Sequence, residues 1–340
     1  MLVLGAACAP ADGQTFPVSF TFEKDVDCPN FINFKADICD PGDLCTWTFS
    51  DNPSKTYSSS SITHYFPEAG SYDVTLSVCR DGQTSEKTIQ VGVAEDSPYH
   101  KNGEKLLWND EFNASALDLK KWNYDLGTGK WGNNELENYT NSPLNSHIEN
   151  GRLIITAVKE DDRMAVGSYT SARLTTQGKV EFHRGRVEVR AKMPSGKGTW
   201  AAIWMFGRKA APNYSELDIL EYVGCDKNII YTTVHTSATL AGEVPMVTAN
   251  KTVNDVETEF HVYGMNWEDN RIQFYLDDPN NVYLEFERPS QDDQHFWPFD
   301  SDEYLILNLA VGGDWGGMRG IDNDIWPQSM EVDYVRVFQK

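Results

Sequence analysis

No window of 18 or more apolar residues occurs anywhere in the 340 residues, so the sequence offers no helix that could cross a bilayer. Positive charge is scarce: 29 Lys+Arg stand against 51 Asp+Glu, a formal net charge of −22. A polyphosphate needs clustered Lys and Arg to bind, which excludes nucleic acid and anionic membrane as partners. Sulfated or carboxylated polymers would be repelled in the same way. There is no CxxC pair and no HxxxH, and the seven His are scattered, so a zinc site is not expected. Long stretches with an apolar 3.6 period are also missing, as are internal repeats and low-complexity runs.

Aromatics, by contrast, reach 12%, with ten Trp, fifteen Tyr and sixteen Phe. A neutral partner with flat faces to stack on suits that excess. Of the cysteines, Cys28, Cys39, Cys45 and Cys79 cluster early and Cys225 stands alone. Four clustered cysteines fit an exported domain with one or two disulfides, and spacing leaves the pairing open. The start, Met1-Leu-Val-Leu-Gly-Ala-Ala-Cys8, is similar to the tail of a bacterial lipoprotein signal, without the basic n-region. Two readings stand: a clipped signal whose Cys8 carries lipid, or a chance match. The first makes residues 1–14 a signal remnant and tether, and the protein secreted or an outer-membrane surface lipoprotein.

Residues 15–94 alternate apolar and polar side chains in short runs bounded by turn residues, such as Cys45-Thr-Trp-Thr-Phe49 and Tyr72-Asp-Val-Thr-Leu-Ser-Val78. Such runs predict a small antiparallel sandwich. Trp47-Thr-Phe-Ser-Asp-Asn52 followed by His64-Tyr-Phe and Gly70-Ser-Tyr-Asp-Val-Thr-Leu resembles a PKD-type immunoglobulin-like domain, with its first signature degraded and its second intact. Such modules are usually spacers. Residues 95–104 are polar, with Pro and Gly, and read as a linker. Residues 105–340 read as many short strands separated by Gly- and Asn-rich turns, the pattern of a large sandwich or jelly roll. The expected fold is therefore all-β throughout.

Within that second region, Ser215-Glu-Leu-Asp-Ile-Leu-Glu-Tyr-Val-Gly224 is the most informative segment. Residues two apart on a strand share a face, so Glu216 and Asp218 point one way and Leu217 and Ile219 the other. Glu221 is out of phase unless a β-bulge near Ile219 or Leu220 supplies one extra residue. With that bulge, three carboxylates line one face. Their mutual repulsion argues for a use beyond a solvated edge. Four strand steps put the Glu216 and Glu221 backbones about 13 Å apart. Side chains leaning inward then bring the carboxyls to about 5–6 Å, the separation of a retaining glycosidase. Trp200 and Trp204, four apart in an apolar run, share a face in the same way and could stack on sugar rings.

Glu216-Leu-Asp-Ile-Leu-Glu221 resembles the Glu-x-Asp-x-x-Glu signature of glycoside hydrolase family 16, in its bulged, laminarinase-like form rather than the unbulged lichenase form. Further blocks follow in family order: Leu107-Trp-Asn-Asp-Glu-Phe112, Trp131-Gly-Asn-Asn-Glu-Leu136, Tyr169-Thr-Ser-Ala-Arg-Leu174, Thr199-Trp-Ala-Ala-Ile-Trp204, Gly312-Gly-Asp-Trp-Gly316 and Val332-Asp-Tyr-Val-Arg-Val337. The resemblance implies a concanavalin-like β-jelly roll with a concave substrate cleft. It makes Glu216 the nucleophile, Asp218 its partner and Glu221 the acid/base. Asn134, Arg173 and His235 would hydrogen-bond sugar hydroxyls, with Trp200 and Trp204 as platform and Tyr139 and Trp315 at flanking subsites. Two departures stand out: Ser215 replaces the usual Gly before the first Glu, and the loop 209–214 lacks the common Trp-Pro.

The implied activity is retaining endo-hydrolysis of laminarin-type β-1,3-glucan, with mixed-linkage β-1,3/1,4-glucan next, by a monomer acting on neutral polysaccharide. Catalysis needs no cofactor. The resemblance also implies a structural Ca²⁺ at Glu111, Gly151 and Asp333, away from the chemistry. The competing expectations are a non-catalytic glucan-binding surface protein, a galactan hydrolase of the agarose type, and a glucan transglycosylase.

Overall fold

Alternating apolar residues become strands with their apolar side inward in both halves of the chain. The computed structural model describes residues 16–26, 28–129, 131–207, 213–290 and 293–340. The expected signal remnant with Cys8, and residues 209–212 of the loop before the carboxylates, lie outside these. The chain separates into two compact units, one ending at Lys105 and the other spanning Leu106–Gln339.

In the first unit a three-stranded sheet (Phe20–Lys24, Phe31–Ala36, Ser61–Tyr65) faces a four-stranded one (Leu44–Phe49, Thr56–Ser58, Gly70–Arg80, Gln83–Val93). Trp47, fully buried, is central to the core between them, and its Nε1 donates to the Ser59 carbonyl at 2.8 Å. Asp51 of the degraded signature accepts from His64 Nε2 at 2.9 Å, and the His64 ring stacks on Phe49. The two PKD-like sequence blocks are thus one packed cluster. A disulfide joins Cys39 to Cys45. The stretch read as a linker is more ordered than its polarity suggested. Ser97 is buried and caps a one-turn helix, Pro98–Lys101, by accepting from the His100 N–H, with Pro98 at the first helical position.

Among the described residues, the second unit is a sandwich of an eleven-stranded and a seven-stranded sheet around a large apolar core, with a smaller cluster of Phe206, Tyr304 and Ile306 beside it. The seven strands in chain order are β1 (Asn123–Asp125), β2 (Arg173–Thr175), β3 (Thr199–Phe206), β4 (Ser215–Val223), β5 (Ile229–Thr236), β6 (Val247–Thr252) and β7 (Tyr304–Val311). Their spatial order is β6-β5-β4-β3-β7-β2-β1, antiparallel throughout. The sheet's centre therefore carries the carboxylate strand beside the tryptophan strand. Ala201, Ile203 and Met205 of β3 and Leu217, Ile219, Leu220 and Tyr222 of β4 all enter the core. Trp200, Trp204, Glu216 and Glu221 are left on the opposite face.

Candidate active site

The expected bulge is present. On its β3 side, Phe206 pairs with Glu216 and Trp204 with Asp218, but Ile203 pairs with Leu220, so Ile219 is the extra residue. The β5 side slips between Asp218 and Glu221 as well. Because Ile219 and Leu220 both point into the core, Glu221 returns to the face that holds Glu216 and Asp218.

Each carboxylate has a different environment. Asp218, almost fully buried, accepts from His235 Nε2 at 3.1 Å, and the same nitrogen lies 3.6 Å from Glu216 Oε1. The other Glu216 oxygen accepts from the Tyr214 hydroxyl at 2.7 Å. Burial, then the Asp218 charge, pushes Glu216 up to about 7 against the opposing pull of His235, Tyr214 and Arg173. Glu221 accepts from Trp200 Nε1 at 3.1 Å, and burial followed by the Asp218 charge drives it well above the carboxylate range. At neutral pH the pair therefore divides its labour, one carboxyl ionising while the other keeps its proton. Burial alone would lower His235, but its bond to Asp218 and the surrounding negative charge outweigh that and raise it to about 9.

Behind Glu216 lies a second, hidden acid. Glu303, immediately before β7, is fully buried, and burial pushes it up to about 8, opposed only by the neighbouring Ser215 hydroxyl. Gly207 closes this corner: a Cβ there would fall 2.4 Å from Ser215 Oγ and 3.1 Å from Glu303 Cγ.

The remaining expected site residues extend the same face. Arg173 reaches Asp125 at 2.9 Å, and its guanidinium sits 4.7 Å from the Trp204 ring and 4.8 Å from the Trp131 ring. Trp204 Nε1 donates to Asn308 Oδ1 at 2.8 Å. Trp315 meets Trp200 edge to face at 5.6 Å and Tyr231 at 4.9 Å. Asn134 donates to both oxygens of Asp314, at 3.0 Å each, beside Trp315. Tyr139 is a correction. It is buried, and its hydroxyl accepts from Asn308 Nδ2 at 3.1 Å, so it offers no face to a sugar and instead supports the residue that holds Trp204.

The expected Ca²⁺ ligands do not fit a cation as they stand. Both Glu111 oxygens accept from the buried Arg336, at 3.0 and 2.9 Å. Asp333 accepts from Arg190 at 2.7 Å and lies 3.9 Å from Arg152. Gly151, with φ +74°, is the second residue of the Asn150–Gly151 hairpin turn, which needs positive φ for its own sake. Arginine already neutralises both carboxylates. Elsewhere among the described residues, Glu216, Asp218 and His235 have ligand atoms within 4.8 Å of one another. An imidazolium, however, has no lone pair to give a metal and itself supplies the positive charge there.

Sequence reasoning missed Tyr214, Trp131 and Asn308. Asn308 did carry a signal: it is the sole polar residue of Tyr304-Leu-Ile-Leu-Asn-Leu-Ala-Val311, a strand buried at every position. A buried amide in such a strand must have partners.

A two-sheet all-β sandwich whose outer face aligns an ionisable acid, a protonated acid and tryptophan rings defines a carbohydrate-cleaving enzyme, a glycoside hydrolase. The model for glycosyl hydrolases family 16 matches residues 133–336, and the chain belongs to that family. A PKD domain model matches residues 12–94. The "Beta-glucanase" of Rhodothermus marinus is 42% identical over 255 residues, covering 69% of this chain and 85% of that protein. The solved laminarinase from Rhodothermus marinus superposes with a TM-score of 0.65 at 40% identity, over 69% of this chain and 97% of its own. A non-specific endo-β-1,3(4)-glucanase of the same family, crystallised with a glucan oligosaccharide at its active site, gives 0.65 at 41% identity, over 70% and 95%.

Proposed function

We propose that the chain is a retaining endo-β-glucanase cleaving laminarin-type β-1,3-glucan, with mixed-linkage β-1,3/1,4-glucan as its second substrate. The observation that carries this reading is the pair Glu216 and Glu221 on one face of β4, with separate partners and unequal proton affinities. Glu216 attacks the anomeric carbon while Glu221 protonates the departing oxygen; Glu221 then deprotonates a water that releases the sugar. Asp218 and the His235 imidazolium hold the charge around Glu216 in balance. Trp200, Trp204 and Trp315 supply faces for neutral rings, and a face this acidic suits an uncharged polymer better than a sulfated one. Relatives named for glucan cleavage support the substrate class.

Glu216→Ser should abolish reducing-sugar release from laminarin, and Glu221→Gln should lower it by about 10²–10⁴-fold. Wild-type protein that binds laminarin without cutting it would sink the reading. We place the protein outside the cell, tethered through a lipidated Cys8; the Cys39–Cys45 disulfide supports an oxidising location.

A further inference from the structure

The two oxygens of Glu216 are not equivalent. Oε2 accepts a 2.7 Å hydrogen bond from Tyr214, whereas Oε1 faces His235 Nε2 at 3.6 Å, beyond direct hydrogen-bond reach. Tyr214 is fixed at two points. Its backbone N–H donates to Ser237 Oγ at 3.1 Å, and its ring packs edge-on against Phe206 at 5.6 Å. Burial, with the charges of Glu216 and Asp218, keeps its hydroxyl protonated far beyond the ordinary range. It is a permanent donor aimed at one atom.

We infer that Tyr214 is a positioning residue for the nucleophile, which leaves Oε1 to attack the anomeric carbon and favours Glu216 as a free carboxylate over Glu216 as an ester. This deepens the glucanase reading and rests on Glu216 being the nucleophile.

The two chemical steps use the bond unequally. In the first, Oε1 bonds to the anomeric carbon as the glycosidic C–O bond breaks. That bond's electron pair leaves with the aglycone oxygen, which takes the Glu221 proton. Oε2 is now the carbonyl oxygen of a neutral ester. In the second step the Glu221 carboxylate takes a proton from water, and the water oxygen bonds to the anomeric carbon. The C–Oε1 bond breaks and its electron pair returns to Glu216. A hydrogen bond to an ionised acceptor is about twice as strong as one to a neutral acceptor. Tyr214 therefore assists the second step, in which carboxylate charge returns, and not the first, in which that charge is lost. It also eases ionisation of Glu216 among the groups that face it: Asp218 and Glu221 on its own strand, His235 on β5, Arg173 on β2 and Glu303 before β7.

The test is Tyr214→Phe in the full chain, on an aryl β-laminaribioside whose leaving group needs little protonation. The acid limb of kcat/KM should move up by about half to one pH unit. Since the second step limits kcat with such a substrate, kcat should fall about tenfold, while plateau kcat/KM stays within about threefold of wild type. Ser237→Ala keeps the hydroxyl but loosens its anchor, and should shift both quantities the same way by less. Thermal unfolding of each variant separates these effects from loss of fold. An unmoved acid limb, or kcat and kcat/KM falling in equal proportion, would overturn the inference and leave Tyr214 as packing. Laminarin hydrolysis surviving Glu216→Ser would instead overturn the nucleophile assignment itself, so the two failures are distinct.

Discussion

At the scale of single residues, the site is a problem of proton placement. The proposed mechanism needs Glu216 ionised and Glu221 protonated at the same time. Burial and the Asp218 charge raise Glu216 to about 7, so kcat/KM on laminarin should climb through that region and fall on the alkaline side, as Glu221 and His235 lose their protons. His235→Asn removes the imidazolium that favours the Glu216 carboxylate, and the acid limb should move to higher pH. A profile already level below pH 6 would contradict this account. Glu303 poses the same problem without a catalytic use. Its folded value, about 8, lies above the ordinary carboxylate value. Its contribution is therefore fully favourable only at acid pH, and is lost as pH rises towards 8, because the unfolded chain ionises first. Glu303→Gln has no such dependence. It should gain about 2–4 kcal/mol over wild type near pH 8 and little near pH 4, at about 1.4 kcal/mol for each tenfold change in proton affinity. Urea unfolding at the two pH values measures it.

At the scale of elements, neighbouring strands hold one another's side chains in place. Asn308 on β7 ties Trp204 on β3 to Tyr139, with Asn308 and Tyr139 buried and Trp204 half-buried on the cleft face. Asn308→Ala should cost about 1–3 kcal/mol by leaving the Trp204 indole donor and the Tyr139 hydroxyl without their partner. It should also raise KM for laminarin more than it lowers kcat, because the Trp204 ring loses its orientation. Equal effects on both constants would argue against a platform role. The strands themselves, the bulge and the shared face of Trp200 and Trp204 were legible from period-two alternation alone. So was the contradiction between Glu216 and Glu221 that only an extra residue resolves. Other features were out of reach, because they depend on strands distant in sequence. Nothing near Tyr139 says that Asn308, 169 positions away, will seal it from the cleft. The family resemblance made Glu111 and Asp333 oxygen ligands, and Arg336, Arg190 and Arg152 lie beside them in the fold.

At the scale of the whole molecule, two cores divide the chain. Every site residue lies in the second unit, and the first has its own core around Trp47. A chain starting at residue 105 should fold and cleave soluble laminarin with kcat/KM within about twofold of full length, since each unit has a core of its own. A large loss would show that the first unit contributes to the site. Both units are acidic: residues 1–105 carry seven Lys/Arg against fifteen Asp/Glu, a net of −8, so the remaining −14 of the total −22 falls on residues 106–340. Self-repulsion on that scale is screened by salt, and Tm should rise from low to physiological ionic strength.

The bulge in β4 also acts as a ruler whose divisions are marked on its neighbour. Glu216 pairs with Phe206 and Glu221 with Ala202, so β3 measures four steps between the acids however many residues β4 uses to cover them. Removing Leu220 would respell the strand as Glu-Leu-Asp-Ile-Glu-Tyr, a regular alternation that keeps every acid on its face and every apolar residue on the other. The loss would be one buried leucine, about 2–5 kcal/mol, with the distance between the acids unchanged. One spacing can thus be written in two reading frames, and a single-codon deletion is the step between them.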